Sequence, residues 1–299
     1  MSVPNPRYGM FPQVVNTCTS TVRSIFLNVK FDKSMKIYIS ADIEGVAGIT
    51  HWDEAMKHNA EYHEFRDYMT REVVAACKGA LNANATEILI KDAHSTGRNI
   101  IAAQLPECAR LIRGWSGHPY SMLQELDQTY NAAIMIGYHS KAGTDTNPLA
   151  HCFRLNIAYI KINGEPVSEF VFHSYVAAAE NVPVVFVSGD KGICADVNKF
   201  NEHISTLAVS EGVGASTISI SPELSCRQIT EGVEQALVKD FSACRVNLPE
   251  HFEIEIKFKD PVSAYKAAFY PGMKTGEAQA VLFETDDYFE VMRMLLFVL

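Results

Sequence analysis

The sequence predicts an α/β protein: a mostly parallel sheet flanked by helices, with a second, smaller α+β lobe. Three observations carry that expectation. Short apolar runs of strand length recur along the chain, separated by intervals long enough for helices. One of those intervals repeats apolar residues every four positions, and a later stretch carries an Asn-Gly hairpin signal followed by further strand and helix patterns.

The first run, Lys36–Ile39, leads into "SADIEGVAGIT". A helix is predicted over Glu61–Leu81, where Phe65, Met69, Val73, Cys77 and Leu81 form one apolar stripe and "NAN" at 82–84 closes the element. Strands follow at Glu87–Ile90, Ala132–Ile136 and Pro183–Val187. Strand, helix, strand with short connections implies parallel neighbours joined by right-handed crossovers. Asn163-Gly164 in "IKINGEPVSEF" predicts a two-residue hairpin loop. A helix over Ser225–Val238, a strand over Phe252–Phe258 and a helix over Asp286–Phe297 predict the second lobe. The expected division is therefore an α/β metal-binding domain at 35–190 and a C-terminal α+β lobe at 191–299. Residues 1–34 stand apart as a leader. From Met1 to Phe31 there is no acidic residue, and Arg7, Arg23 and Lys30 lie among Ser and Thr, a composition open to a transit peptide or a disordered extension before Met35.

Composition narrows the function. The 299 residues are 47% hydrophobic and 20% charged, enough for a sizeable core. A formal charge of −9, with no stretch that concentrates Lys and Arg, argues against nucleic acid as a partner. No apolar run approaches the 18 or so residues of a membrane span. Seven cysteines without CxxC spacing are expected to be reduced thiols in a cytoplasmic protein.

The strands end on chemistry. Asp42 and Glu44 follow the first, Asp92 and His94 the second, His139 the third and Asp190 the fourth. In an open parallel sheet, ligands bind outside the carboxyl ends of the strands, so the sheet would gather these groups. Residues two apart on an extended chain point the same way, so Asp42 and Glu44 can address one object. Alone, either carboxylate reads as a cap or an ion-pair partner, and His94 as a strand-end hydrogen bond. Together, carboxylates and imidazoles at one place need a cation among them, and a divalent metal such as Zn²⁺ suits the mixed donor set. Asp92 and Asp190 either orient ligand imidazoles or cap the next helix. His51, His58 and His63 are expected in solvent, Cys152 as a buried thiol. "EGVGAS" at 211–216 is a weak phosphate-loop signal that follows no clear strand.

Five segments, "SADIEG" at 40–45, "KDAHS" at 91–95, "GYHSKAG" at 137–143, "LAHCF" at 149–153 and "NGEPVSEF" at 163–170, together resemble the zinc-dependent D-aminopeptidases of the DppA type, peptidase family M55. "PGMKTG" at 271–276 is similar to that family's late glycine loop. The resemblance runs from Met35 to near the C-terminus. It implies two Zn²⁺ per subunit, with Asp42 shared between them and Glu44, His94, His139 and Glu169 as the other ligands. It assigns the catalytic role to His151, as nucleophile or as acid/base, and implies removal of N-terminal, D-configured amino acids from short peptides through zinc-activated water. It also implies a homo-oligomer, a ring-shaped decamer. A metal-dependent phosphoesterase would use the same ligands, and a non-catalytic ligand-binding protein is the third class open to this scaffold.

Overall fold

The computed structural model describes residues 34–299; residues 1–33 of the expected leader lie outside them. The chain runs β1 (Met35–Ala41), α1 (Trp52–Ala55), α2 (Tyr62–Asn82), β2 (Ala85–Asp92), β3 (Ala109–Ile112), β4 (Ala132–Tyr138), β5 (Ile157–Ile162), β6 (Glu165–Pro166) and α3 (Glu169–Ala179). It continues through β7 (Val184–Asp190), α4 (Lys191–Phe200), β8 (Ser205–Val213), β9 (Ser216–Ser219), α5 (Pro222–Val238), β10 (Phe252–Phe258), α6 (Pro261–Ala267), β11 (Lys274–Thr275), β12 (Ala280–Thr285) and α7 (Tyr288–Val298).

Two sheets organise these elements. The larger has the order β3-β2-β1-β4-β7-β8-β9 and is parallel except for its last pair. The smaller, β11-β12-β10-β5-β6, is antiparallel. Every residue of β4 and β7 is buried, which is why the central strands read as unbroken apolar runs. Strand order moves outward in both directions from the β1–β4 pair, so the switch point of the sheet lies between them. A crevice opens at the carboxyl ends of strands at such a point.

The predicted strands and the long helix form. Leu81 is 38% exposed and leaves the stripe that Met69, Val73 and Cys77 bury. A step of four residues overshoots a 3.6-residue turn by about 40°, so four steps from Phe65 carry Leu81 about 160° around the helix. The expected division at 190/191 does not follow the sheets. β5 and β6 lie in the smaller sheet although they precede residue 190, and β8 and β9 lie in the larger one although they follow it. "EGVGAS" runs from the end of β8 through the turn at Gly214 and Ala215 into β9, with Gly214 at φ 62°. The Asn163-Gly164 loop joins β5 to β6 with φ of 51° and 84°, as a type I′ turn requires.

Candidate metal centre

Three strand ends and one helix start build the site. Ala41 pairs with Asp92 on one side and Ile136 on the other, so Asp42, His94 and His139 emerge side by side. The backbones there are in close contact. Asp42 N donates to Ile136 O at 2.8 Å and Gly45 N to Gly137 O at 2.9 Å. A Cβ on Gly45 would sit 1.9 Å from Tyr138 O, and one on Gly189 2.0 Å from the same oxygen. Glu169 comes from the other direction, as the first residue of α3 just after the hairpin.

The resulting cluster has two halves that share Asp42. Oδ1 of Asp42 lies 3.3 Å from His94 Nδ1, which is also 3.0 Å from Glu44 Oε1. Oδ2 lies 3.7 Å from His139 Nε2, which is 3.6 Å from Glu169 Oε1. His151 Nε2 lies 3.7 Å from the same Glu169 oxygen. Donor atoms of Asp42, Glu44 and His139 lie within 4.8 Å of one another, as do those of His139, His151 and Glu169. Donors about 2.0–2.2 Å from one tetrahedral ion stand roughly 3.3 Å apart, the spacing found here.

Ring tautomers sharpen the case for a cation. His94 Nε2 hydrogen-bonds Ala55 O at 2.9 Å, His139 Nδ1 hydrogen-bonds Ser140 O at 2.9 Å, and His151 Nδ1 hydrogen-bonds Leu149 O at 3.0 Å. A carbonyl only accepts, so each of these nitrogens carries the proton and the other nitrogen of each ring turns toward carboxylates. His139 Nε2 and Glu44 Oε2 are buried with no hydrogen-bond partner. A lone pair facing a carboxylate is repulsive unless a proton or a metal sits between them.

Without metal, protons must fill that place. Burial would pull both imidazoles down, yet the Glu44 and Asp42 carboxylates hold His94 well above its usual range. Glu169 and its neighbours likewise push His139 up to about 10 against its burial. Burial also opposes ionisation of Glu169, but His139 and His151 bring it down to about 2. Burial and the adjacent Glu44 raise Asp42, while His94 outweighs burial to lower Glu44. His151 is lowered by burial and by His139, against which its ring stacks at 4.3 Å. The residue the resemblance makes catalytic is therefore the neutral imidazole of the group. Carboxylate and imidazole donors at this spacing fit a divalent metal at Asp42, Glu44 and His139 and at His139, His151 and Glu169.

Other sequence expectations find a place. Asp190 caps α4 through Gly192 N and Ile193 N and accepts from Ser140 N at 2.7 Å, fixing the loop whose carbonyl orients His139. Asp92 accepts from Asn99 N and Ile100 N. Neither hydrogen-bonds the ring of His94, His139 or His151. Cys152 is buried with a raised thiol pKa, caused first by burial, and His51, His58 and His63 are exposed. Sequence reading missed the orienting carbonyls, which carry no side-chain signal. It also missed the walls of the roughly 630 Å³ cavity over the cluster, where Trp52, Trp115, Phe153 and α7 converge.

Known proteins similar to this chain are found both by sequence and by structure. A family model described as D-aminopeptidase, peptidase family M55, matches residues 35–297. The D-aminopeptidase of Bacillus subtilis (strain 168) is 30% identical over 265 residues, covering 88% of this chain and 96% of its own. A solved structure described as the zinc-dependent D-aminopeptidase DppA from Bacillus subtilis, a self-compartmentalizing protease, superposes with a TM-score of 0.84 at 28% identity, covering 88% of this chain and 96% of that one. The chain, whose Asp42 carboxylate faces His94 with one oxygen and His139 with the other, belongs to the D-aminopeptidase family, peptidase family M55.

Proposed function

We propose that the protein is a metal-dependent aminopeptidase that removes N-terminal, D-configured residues from short peptides. The observation that carries the reading is the Asp42 carboxylate, whose two oxygens face separate imidazole and carboxylate partners. Asp42, Glu44 and His94 would hold one Zn²⁺, and Asp42, His139 and Glu169 a second. Bound there, zinc would supply Lewis acidity for the scissile carbonyl and lower the pKa of water toward neutrality.

The chain's own groups supply the rest. His151 keeps its Nδ1 proton on Leu149 O, so Nε2 can accept a proton from water and pass it to the leaving amine. Its lowered pKa leaves it unprotonated at neutral pH, the state a base needs. Proton transfer is the role assigned to His151 here, because metal activation of water makes a protein nucleophile redundant. Trp52 meets the His151 ring edge-on at 5.2 Å and His139 stacks on its other side, so the imidazole is held in one orientation.

The D preference is supported by the relatives' described activity. A self-compartmentalizing relative supports a homo-oligomer, with the decamer as its expected form. Among the described residues no helix is long and apolar enough to cross a membrane. Six described cysteines are free thiols, which supports a cytoplasmic setting. Rates on the D- and L-alanyl forms of one anilide, before and after chelation and zinc return, test the proposal. D-selective cleavage that chelation abolishes and zinc restores is expected; cleavage of neither form, with turnover of a generic phosphodiester, would replace it.

A further inference from the structure

Above the cluster, the cavity wall carries a positive group that the chemistry so far does not use. Arg154 is the Lys or Arg residue that lines the cavity. The floor beneath it is acidic, with Asp42, Glu44 and Glu169. Arg154 is exposed, and its guanidinium makes no ion pair or hydrogen bond with another described residue. Arg71 and Arg293, by contrast, each pair with a glutamate.

The backbone that presents Arg154 is fixed to the metal cluster. Phe153 N donates to Glu169 Oε1 at 2.7 Å, and Phe153 is held at φ 60°, a conformation a phenylalanine rarely takes. Arg154 N donates to Cys152 O at 2.6 Å, and Ile157 N to Arg154 O at 3.2 Å. Along this path the Cα of Arg154 lies at most about 8 Å from Glu169 Oε1. Two extended residues span at most about 7 Å. That span is comparable to the distance from Glu169 to Arg154, and both residues line the same cavity.

We propose that Arg154 recognises the free C-terminal carboxylate of the substrate and so sets a preference for peptide acids over the corresponding amides. The proposal rests on the aminopeptidase reading and deepens it. A guanidinium presents its donors in a fork that matches a carboxylate, and an amide in that place offers one weaker acceptor. A charge-assisted contact of this kind corresponds to a preference of about 10- to 100-fold for acid over amide.

Both tryptophans of the chain, Trp52 and Trp115, line the cavity, so tryptophan fluorescence reports its occupancy. The test titrates zinc-loaded, full-length His151→Ala protein, which does not consume the probe, with D-alanyl-D-alanine and with D-alanyl-D-alaninamide. The same titrations are made with Arg154→Met and Arg154→Lys added, each checked for folding by circular dichroism. The expected result is tighter binding of the acid by about 10-fold or more, loss of that preference in Arg154→Met, and partial retention in Arg154→Lys. Equal binding of acid and amide, a preference that survives Arg154→Met, or no binding of either probe at millimolar concentration would overturn it. Hydrolysis of the two probes by the His151-containing protein is scored separately, so failure of the peptidase reading is distinguishable from failure of this one.

Discussion

Glu72 offers a quantitative check on how the loop carrying Glu44 is held. It sits inside α2, fully buried, and its Oε1 accepts from Ala47 N at 3.0 Å and Ser225 Oγ at 2.7 Å. One carboxyl thereby ties α2 and α5 to the turn that follows Glu44. Its Oε2 has no partner. Burial pushes the carboxyl up to about 7 from an ordinary 4.5, although both hydrogen bonds pull the other way. Below pH 4.5 the folded and unfolded chains both keep this proton. Between about 4.5 and 7 only the folded chain keeps it, so stability falls as pH rises through that window and the loss persists above it. The full loss is about 3 kcal/mol. Glu72→Gln retains the accepting oxygen and cannot ionise, so its advantage over the parent should be absent near pH 4.5 and reach about 3 kcal/mol at pH 8, or roughly 6–12 °C in melting temperature. Thermal melts of both proteins at several pH values, in chelator to keep the metal centre constant, measure this difference. An advantage independent of pH would show that Glu72 ionises normally and that the argument from burial is wrong.

Other perturbations act on the centre itself. Gly45→Ala places a methyl 1.9 Å from a backbone oxygen that cannot rotate away, so it should cost about 3 kcal/mol or more and release metal, read by melting and by metal analysis. His94→Ala should leave roughly half the bound zinc, Asp42→Ala close to none, and His151→Ala the full amount with activity lost; equal metal loss in all three would contradict the shared-carboxylate arrangement. Zinc binding at pH 7 should release two or more protons per chain, from His94, His139 and the raised Asp42 carboxyl, measurable by calorimetry in buffers of different ionisation enthalpy. The same displacement predicts weaker zinc binding as pH falls.

The strand ends were legible in the sequence because a fully buried parallel strand is an apolar run that stops where chemistry begins. Asp42, His94 and His139 each follow such a run, and the sheet aligns them with little help from the rest of the chain. Glu169 was legible only through resemblance, since it opens a helix rather than closing a strand. The partition of strands between sheets was hidden: β5 and β8 have ordinary strand composition, and long-range pairing decides which edge each joins. Backbone contacts were hidden too. Nothing in "DIEGV" says that Gly45 is glycine because Tyr138 O lies against it, and nothing in "DEAMK" says that Ala55 offers its carbonyl to His94.

In the proposed centre one carboxylate, Asp42, serves two metal ions. Anomalous diffraction from crystals of the zinc-loaded protein, collected on both sides of the zinc edge, tests it most directly. Two peaks per chain are expected, one on either side of the Asp42 carboxylate, the first against Glu44 and His94 and the second against His139 and Glu169. A single peak, or peaks that leave Asp42 uncoordinated, would contradict it.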